Sequence, residues 1–196
     1  MRSGGRAMFT LDASVHINAI NPTEAGSTAS QACLQRLVEQ QQTVISPTLL
    51  LVELAVAVAR VLDDTALALE LTQAVRALPG QIWVGLDDDL SADAAQLGAE
   101  ARLRGADAVY AAVARRFGTT LITRDRQQLE RLRDLLPVLT PEAALHLSLP
   151  KEQMFAWSWR EANEWPSARA VEYQVLDENG RFLLSLIHIS EPTRPY

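Results

Sequence analysis

The sequence predicts an α/β domain in which helices cover both faces of a parallel β-sheet. Short β-prone runs alternate with segments of helical periodicity from about Met8 to Leu147. Strands separated by helices of this length are joined by right-handed crossovers, so the strands run parallel and the helices lie on the two faces. The chain has 196 residues, of which 48% are apolar and 21% are charged. These values are typical of one globular domain, alone or with a small appendage.

The predicted elements follow from hydrophobic periodicity and from Gly and Pro at their ends. The predicted strands span residues 9–11, 43–45, 81–85, 119–123 and 138–139. A helix follows Asp12, and further helices are predicted at 28–41, 48–62, 64–78, 91–103, 106–117, 126–135 and 141–146. In helix 28–41, Cys33 and Leu37 share one apolar face, which makes Cys33 a core residue.

Two helix starts are predicted from capping residues. Ser46 is predicted to be an N-cap followed by Pro47 at the first helical position, and together they open helix 48–62. This helix is apolar nearly all round, so we predict that it is deeply buried. Ser91 is predicted to cap helix 91–103, which Gly105 would end. The aspartates at 87–89 are predicted to form a solvated turn before it.

The residues outside 8–147 fall into three segments. Residues 1–7 are expected to be a non-native extension, with Met8 as the initiator. Residues 148–183 hold three of the four tryptophans and predict a hairpin with strands at 171–176 and 182–184 around a turn at 177–180. This segment is unassigned and, at ~36 residues, too short for a core of its own. Residues 184–196 begin with LSLIHISEPTR, which looks like a translated sequencing adapter, so we expect an artefact there and no ligand role for His188.

Composition argues against several classes of protein. No apolar run approaches the roughly 20 residues that span a bilayer, and the first residues lack the apolar core of a secretory signal. The single cysteine excludes internal disulfides and a thiolate zinc site. The single lysine, Lys151, argues against a P-loop or Schiff-base enzyme. No G-x-G-x-x-G follows the first strand, which argues against dinucleotide binding. We expect a cytoplasmic protein with no membrane partner.

The charge is unevenly distributed. The formal net charge is −6, and an acidic chain does not attract nucleic acid through its overall charge. Residues 102–133 nevertheless hold eight arginines against three acids, a local net of +5 that leaves −11 for the remainder. These arginines are either solvated helix faces or a surface for phosphate groups.

Carboxylates are the main candidates for chemistry, because Lys, Cys and His are scarce. Asp12 and Asp125 directly follow strands, whereas Glu53 and Asp107 are expected in the first turns of helices that begin at the same sheet edge. Open α/β sheets bind ligands at this edge, formed by the carboxyl ends of the strands. Four clustered carboxylates repel unless a cation neutralises them, and oxygen ligands suit Mg²⁺ or Mn²⁺. Such an ion activates water and stabilises the departing oxygen of a phosphodiester.

Each acid also has an ordinary structural explanation. Asp107 can complement a helix dipole, Asp125 can cap the next helix, and Asp12 can be a turn residue. Glu53 is harder to explain, because a carboxylate in an almost wholly apolar helix is costly unless it is paired or coordinated. His16 is interpreted as a packing or solvent-facing residue and not as a ligand.

The sequence resembles PIN-domain nucleases, and within them the VapC-type toxins of bacteria. The resemblance covers roughly residues 8–147 and rests on FTLDASV at 9–15, PTLLLVE at 47–53, GADA at 105–108 and LITRD at 121–125. It implies a three-layer α/β/α sandwich with a central parallel sheet. It also implies that the four acidic metal ligands of the family correspond to Asp12, Glu53, Asp107 and Asp125. Ser14 and Thr123 match hydroxyl residues that support the ligands or bind water.

The function that this resemblance implies is an Mg²⁺- or Mn²⁺-dependent endoribonuclease, the toxin of a type II toxin–antitoxin pair. It further implies a homodimer and an antitoxin that inserts a segment near the site. Asp12 and Asp107 would form the core of the metal site, Glu53 would also orient the attacking water, and Asp125 would complete the site or bind a second ion. The candidate RNA contacts are Arg102, Arg104, Arg115, Arg116, Arg124 and Arg126.

One departure from the family leaves an alternative open. Many relatives carry a further Asp or Asn soon after the last acid, where this chain has Arg126, Gln127 and Gln128. A second metal site is therefore expected to be weakened. The alternative is a PIN-fold module that binds nucleic acid, or a phosphodiesterase for another substrate, with weak or no catalysis.

Overall fold

The computed structural model describes residues 7–147 and, further along, the backbone of 168–173 and 186–192. The strands of the first range are β1 (Met8–Leu11), β2 (Thr43–Pro47), β3 (Gln81–Val84), β4 (Thr120–Ile122) and β5 (Val138–Leu139). Its helices are α1 (Ala13–Ile20), α2 (Ser27–Glu39), α3 (Leu49–Leu62), α4 (Thr65–Arg76), α5 (Asp88–Ala101), α6 (Gly105–Phe117), α7 (Arg126–Leu132) and α8 (Pro141–Leu145).

The strands form one sheet in the order β3-β2-β1-β4-β5, and every neighbouring pair is parallel. The chain moves outwards from β1 to β3 and then crosses back to β4 on the other side of β1. The strand order therefore reverses between β1 and β4. Ligands of open α/β sheets bind at such a reversal, in the crevice beyond the carboxyl ends of the strands.

Successive strand residues pack into cores on opposite faces of the sheet. In β2, Val44 packs in a cluster with Cys33 and Leu37 of α2, whereas the next residue, Ile45, packs in a cluster with Leu90 of α5. This alternation follows from the twofold period of a strand. Helices α1, α2 and α8 contribute to the first cluster, and α5 and α6 to the second. The predicted three-layer α/β/α fold with a parallel sheet is confirmed, as is the core position of Cys33.

The predicted start of helix 48–62 is wrong. Ser46 and Pro47 belong to β2, and α3 begins at Leu49 after Thr48, which makes no side-chain cap. Proline is tolerated here because β1 pairs with β2 only as far as Val44, while Pro47 pairs with Val84 of β3 alone. The missing N–H therefore lies on a side of the strand that has no neighbour, as for proline on an edge strand.

The predicted start and end of helix 91–103 are also wrong. Asp87 is the N-cap of α5, and its Oδ1 accepts from the N–H of Leu90 at 2.7 Å. The following aspartates lie in the first turn, where they complement the helix dipole. At the other end the left-handed backbone of Arg102 (φ 54°) ends α5, and Gly105 begins α6.

Helix α3 is not deeply buried, contrary to the prediction. Leu50, Leu54 and Val58 face the core, whereas Val52 and Val56 are 60% and 53% exposed. A helix that is apolar nearly all round does not indicate which side faces solvent. Val52 and Val56 lie one turn apart, so they form an exposed apolar row on the outer face of α3.

Residues 151–196 form a separate compact unit. In it β6 (Ala168–Tyr173) pairs antiparallel with β7 (Leu186–Pro192). The predicted first hairpin strand, 171–176, overlaps β6 at 171–173, while the predicted turn 177–180 and second strand 182–184 lie outside the described residues. Strand β7 falls within the adapter-like segment 184–196. No helix of the described ranges has the length and hydropathy needed to cross a bilayer.

Candidate functional site

Asp12 lies where the strand order reverses, directly after β1, and is only 5% exposed. Its backbone N–H donates to the carbonyl of Ile122 in β4 at 3.0 Å. Its Oδ2 caps α1 by accepting from the N–H of Ser14 at 3.0 Å, and it also accepts from the Thr123 hydroxyl at 3.3 Å. Groups from two elements therefore fix the carboxylate.

The two hydroxyl residues Ser14 and Thr123 connect α1 to the segment after β4. Thr123 Oγ1 accepts from the N–H of Asp125 at 3.0 Å, and Ser14 Oγ accepts from the N–H of Arg124 at 3.1 Å. Since the Thr123 hydroxyl also donates to Asp12, one buried side chain contacts both Asp12 and the backbone of Asp125.

Asp107 is joined to Asp12 through Gln128. The Nε2 group of Gln128 donates to Oδ1 of Asp12 at 3.1 Å and to Oδ1 of Asp107 at 3.0 Å. Gln128 is completely buried. Within the described residues, its Oε1 and the Oδ2 of Asp107 are buried without a hydrogen-bond partner. One glutamine therefore brings the β1 acid and the α6 acid together and leaves two oxygens unsatisfied.

Glu53 is held by Tyr110. It is the fifth residue of α3 and so lies in the second turn, not in the first as expected. The hydroxyl of Tyr110, a fully buried residue of α6, donates to Oε2 of Glu53 at 2.6 Å. This hydrogen bond provides the partner that a carboxylate in an apolar helix requires.

Asp125 has the capping role that its position allowed. Its Oδ1 accepts from the backbone N–H of Gln128 at 3.0 Å and so caps α7. Gln128 thus contacts three of the four acids, Asp125 through its backbone and Asp12 and Asp107 through its side chain. Gln128 and Thr123 therefore link Asp12, Asp107 and Asp125, whereas Glu53 is held by Tyr110 and senses the charges of Asp12 and Asp107.

Burial is the main cause of the electrostatic shifts in this cluster. It raises the pKa of Glu53, and the nearby charges of Asp12 and Asp107 raise it further against the hydrogen bond from Tyr110. Burial, followed by the charge of Asp12, also raises the pKa of Asp107. The pKa of Tyr110 is raised by burial and by Glu53, so its hydroxyl stays protonated and can donate. Asp12, Glu53 and Asp107 are therefore close enough to repel one another.

The chemistry of the cluster fits a hard divalent cation. In residues 7–147, no three His, Cys, Asp or Glu side chains are grouped so that they hold a metal ion as they stand. Asp12, Glu53, Asp107 and Asp125 nevertheless supply only oxygens, the type of ligand that Mg²⁺ and Mn²⁺ take. The unpartnered Oδ2 of Asp107 and the raised pKa values indicate a site where a cation would satisfy a buried oxygen and relieve repulsion.

Two of the candidate arginines precede α6, the helix that carries Asp107. Arg104 immediately precedes α6, its side chain is exposed, and its charge opposes the increase in the pKa of Asp107. Arg102 is also exposed, two residues earlier, and its carbonyl accepts a hydrogen bond from Arg131. Arg104 therefore lies close enough to act on the acidic cluster without neutralising it.

The other four candidate arginines are paired within the domain. Arg124 donates to Glu142 at 2.8 Å and to the carbonyl of Ala25 at 3.2 Å. Arg126 pairs with Glu130, one turn further along α7, at 2.6 Å.

Arg115 and Arg116 lie in the last turn of α6 and pair with Glu100 and Asp93 of α5. They follow Asp107 by eight and nine residues, or about 12–14 Å along the helix axis. The structure therefore does not place these two beside the acids.

Tyr110 and Gln128 contact the acids although no role was expected for either residue from the sequence. Tyr110 follows Asp107 by three residues on α6, and Gln128 follows Asp125 by three residues on α7. Residues three apart lie on the same helix face, so this spacing was a usable signal. His16 is a buried packing residue, 3% exposed, and burial lowers its pKa to about 4.

A parallel α/β sheet with carboxylates beside its strand-order reversal is an arrangement suited to binding a divalent cation and a phosphate-containing ligand. The chain belongs to the PIN domain family, whose profile matches residues 9–135, well over half of its length. Membership of this family supports a nuclease. No curated protein is significantly similar to the chain in sequence.

Several solved structures share the fold. FitAcB from Neisseria gonorrhoeae is 26% identical with a TM-score of 0.55, and the match covers 71% of this chain and 100% of that one. VapBC2 from Rickettsia felis, solved with a DNA fragment from its promoter, is 15% identical with a TM-score of 0.52 and coverage of 68% and 98%. A toxin–antitoxin complex from Klebsiella pneumoniae is 20% identical with a TM-score of 0.50 and coverage of 69% and 97%.

Proposed function

We propose that this protein is a divalent-metal-dependent endoribonuclease and the toxin of a type II toxin–antitoxin pair. The observation that carries the proposal is the link between the acids. Gln128 contacts Asp12, Asp107 and Asp125. Glu53 lies close enough to Tyr110 to raise the pKa of its hydroxyl. Four carboxylates at the ligand-binding edge of a PIN fold are the machinery that metal-assisted phosphodiester hydrolysis requires.

Asp12, Glu53, Asp107 and Asp125 would hold the Mg²⁺ or Mn²⁺ ion. When bound, the ion supplies an activated water and stabilises the departing oxygen of the phosphodiester. The other residues position these ligands. The Thr123 hydroxyl fixes Oδ2 of Asp12, and the Tyr110 hydroxyl fixes Oε2 of Glu53.

The exposed side chains of Arg104 and Arg102 support RNA as the substrate. Cations beside an acidic cluster offset its repulsion of the phosphate backbone and position the strand. Arg124 and Arg126 carry internal partners that RNA would have to displace, and Arg115 and Arg116 would contact only a strand that extends along α6. Arg104 and Arg102 are therefore the principal RNA contacts in this proposal.

The exposed apolar row of α3 supports a protein partner. Val52 and Val56 are more than half exposed, and contiguous apolar surface commonly marks an interface. We propose that this row lies in a homodimer interface in the cytoplasm and that an antitoxin inhibits the enzyme near its acids.

Analytical ultracentrifugation tests the dimer. Val56→Glu should give a monomer, whereas a wild-type monomer at micromolar concentration would contradict the proposal.

An RNA cleavage assay tests the catalytic proposal. We expect cleavage with Mg²⁺ or Mn²⁺, none with EDTA, and a loss of at least 100-fold for Asp12→Asn, the range by which removal of one electrostatic catalytic group lowers a rate. Asp134→Asn is the matched control, because Asp134 is an exposed acid paired with Arg133 away from the site. Cleavage that is equal in all conditions, or absent with every RNA tried, would refute the proposal.

The second candidate is a nucleic-acid-binding module or a phosphodiesterase for another substrate. Gln128 favours it, because this neutral side chain already holds Asp12 and Asp107. Titration calorimetry with millimolar Mn²⁺ separates the candidates. An absence of binding favours the non-catalytic module, and cleavage of DNA but not RNA in the same assay favours the other phosphodiesterase.

A further inference from the structure

We infer that the Gln128 side chain is an internal substitute for the divalent cation. It holds Asp12 and Asp107 together in the metal-free protein and competes with the ion for them. The inference rests on the metal site proposed above and concerns how this chain sets the affinity of that site.

The geometry shows what the amide does. The two N–H groups of one amide nitrogen reach Oδ1 of Asp12 at 3.1 Å and Oδ1 of Asp107 at 3.0 Å. The two carboxylate oxygens are therefore at most 6.1 Å apart, the sum of these distances. Two anions at this separation in a buried site repel strongly unless a donor lies between them. Gln128 places a donor there and contributes no charge of its own.

The other end of the same amide contributes no hydrogen bond. Gln128 is completely buried, yet its Oε1 has no hydrogen-bond partner among the described residues. A buried amide that is only structural satisfies both ends, since an unpaired buried carbonyl is costly. Among the described residues, the two donations to the carboxylates are the only hydrogen bonds of this side chain. Oδ2 of Asp107 has no such donor, and a cation that draws Oδ1 of Asp12 and Oδ1 of Asp107 towards itself as well competes with both donations.

Competition has a definite consequence for binding. The metal-free state of the wild type is stabilised by hydrogen bonds that the metal-bound state loses. Removal of the amide should therefore destabilise the metal-free protein and tighten metal binding at the same time. A residue that only packs, or one that serves as a metal ligand, cannot produce these two opposite effects.

The test compares Gln128→Leu, which keeps the size but removes the donors, with Gln127→Leu, the same change at the preceding residue. In EDTA, we expect the Tm of Gln128→Leu to fall by about 5 °C. Its Kd for Mn²⁺ should tighten about tenfold by titration calorimetry, the effect of losing about one charge-assisted hydrogen bond. Saturating Mn²⁺ should therefore restore most of the lost Tm. Gln127→Leu should change neither value.

Other outcomes overturn the inference in distinguishable ways. Weaker Mn²⁺ binding by Gln128→Leu makes Gln128 a ligand, and an equal loss of Tm with and without Mn²⁺ makes it a packing residue. No Mn²⁺ binding by either protein refutes the metal site itself, whereas binding by the variant alone supports competition.

A second measurement needs no variant. The side-chain amide protons of Gln128 should be protected from exchange in EDTA and lose protection at saturating Mg²⁺ by NMR. Unchanged protection would overturn the inference.

Discussion

Tyr110→Phe should reveal how much of the domain's stability depends on the hydrogen bond to Glu53. Tyr110 packs in a core cluster with Leu50 and Leu97, and Phe preserves that packing while it removes the hydroxyl. The lost bond is 2.6 Å long and accepted by Glu53, which is half-buried. Hydrogen bonds to charged groups contribute about 1.5–3 kcal/mol, and the partial exposure of Glu53 places this one near 1.5 kcal/mol. That loss corresponds to a Tm decrease of about 5 °C.

The effect should depend on pH in a definite direction. The hydrogen bond from Tyr110 favours ionised Glu53 and opposes the increase in its pKa that burial causes. The bond to the ionised form is present above the pKa of Glu53 and is lost as pH falls through it. The difference between wild type and Tyr110→Phe should therefore be largest at neutral pH and shrink in acid.

Urea unfolding of the metal-free protein in EDTA measures this difference. A double-mutant cycle with Glu53→Leu isolates the pair, because Tyr110→Phe should cost almost nothing once Glu53 no longer accepts. Thr72→Val is the control. It removes a buried hydroxyl that bonds to the neutral carbonyl of Ala68, so its cost should not vary with pH. A loss below about 0.3 kcal/mol, or one that persists in the Glu53→Leu background, would refute the role assigned to this bond.

Three further predictions follow from residues around the site and in the core. Burial lowers the pKa of His16 from its ordinary value of 6.5 to about 4 in the folded protein. Between these pH values, His16 therefore binds a proton only in the unfolded chain. As the pH falls from 6.5 to 4, the free energy of unfolding of the wild type, measured by urea titration, should decrease by up to about 3 kcal/mol relative to that of His16→Leu. An equal dependence on pH in the two proteins would contradict this. Gly98→Ala should lower stability by about 1 kcal/mol despite its better helix propensity, because the new Cβ would lie 2.9 Å from Ala108 Cβ. A higher Tm for Gly98→Ala than for the wild type would contradict this, because it would show that α5 and α6 move apart without a loss of stability. Arg104→Ala should weaken binding of a short RNA in EDTA and reduce the slope of log K against log salt concentration by about 1. Arg115→Ala should change neither value. Fluorescence anisotropy measures both the affinity and the slope.

The sequence predicted the architecture because the fold depends on local patterns. Alternating strand and helix signals sufficed for a parallel sheet covered on both faces, since strands joined by helices have one favoured handedness. Asp12 and Asp125 follow strands, so their place at the carboxyl edge was also predictable. The start of α5 was less predictable, because Asp87 and Ser91 are both good N-caps. The start of α3 was mispredicted because Ser46 and Pro47 match the pattern of a helix start although both belong to β2.

The sequence by itself determined the parallel α/β fold and named the four acids that the site brings together. The tertiary structure alone decided which side chains lie between those acids. Gln128 and Tyr110 gain their roles from contacts that span 116 and 57 residues of chain. The spacing of three residues from Asp125 and from Asp107 indicates only the helix face on which they lie, not the residues that they contact. It also decided that Val52 and Val56 face outwards on an apolar helix. The physical reason is the same in each case: periodicity defines a face, but the neighbours of that face depend on how the other elements pack against it.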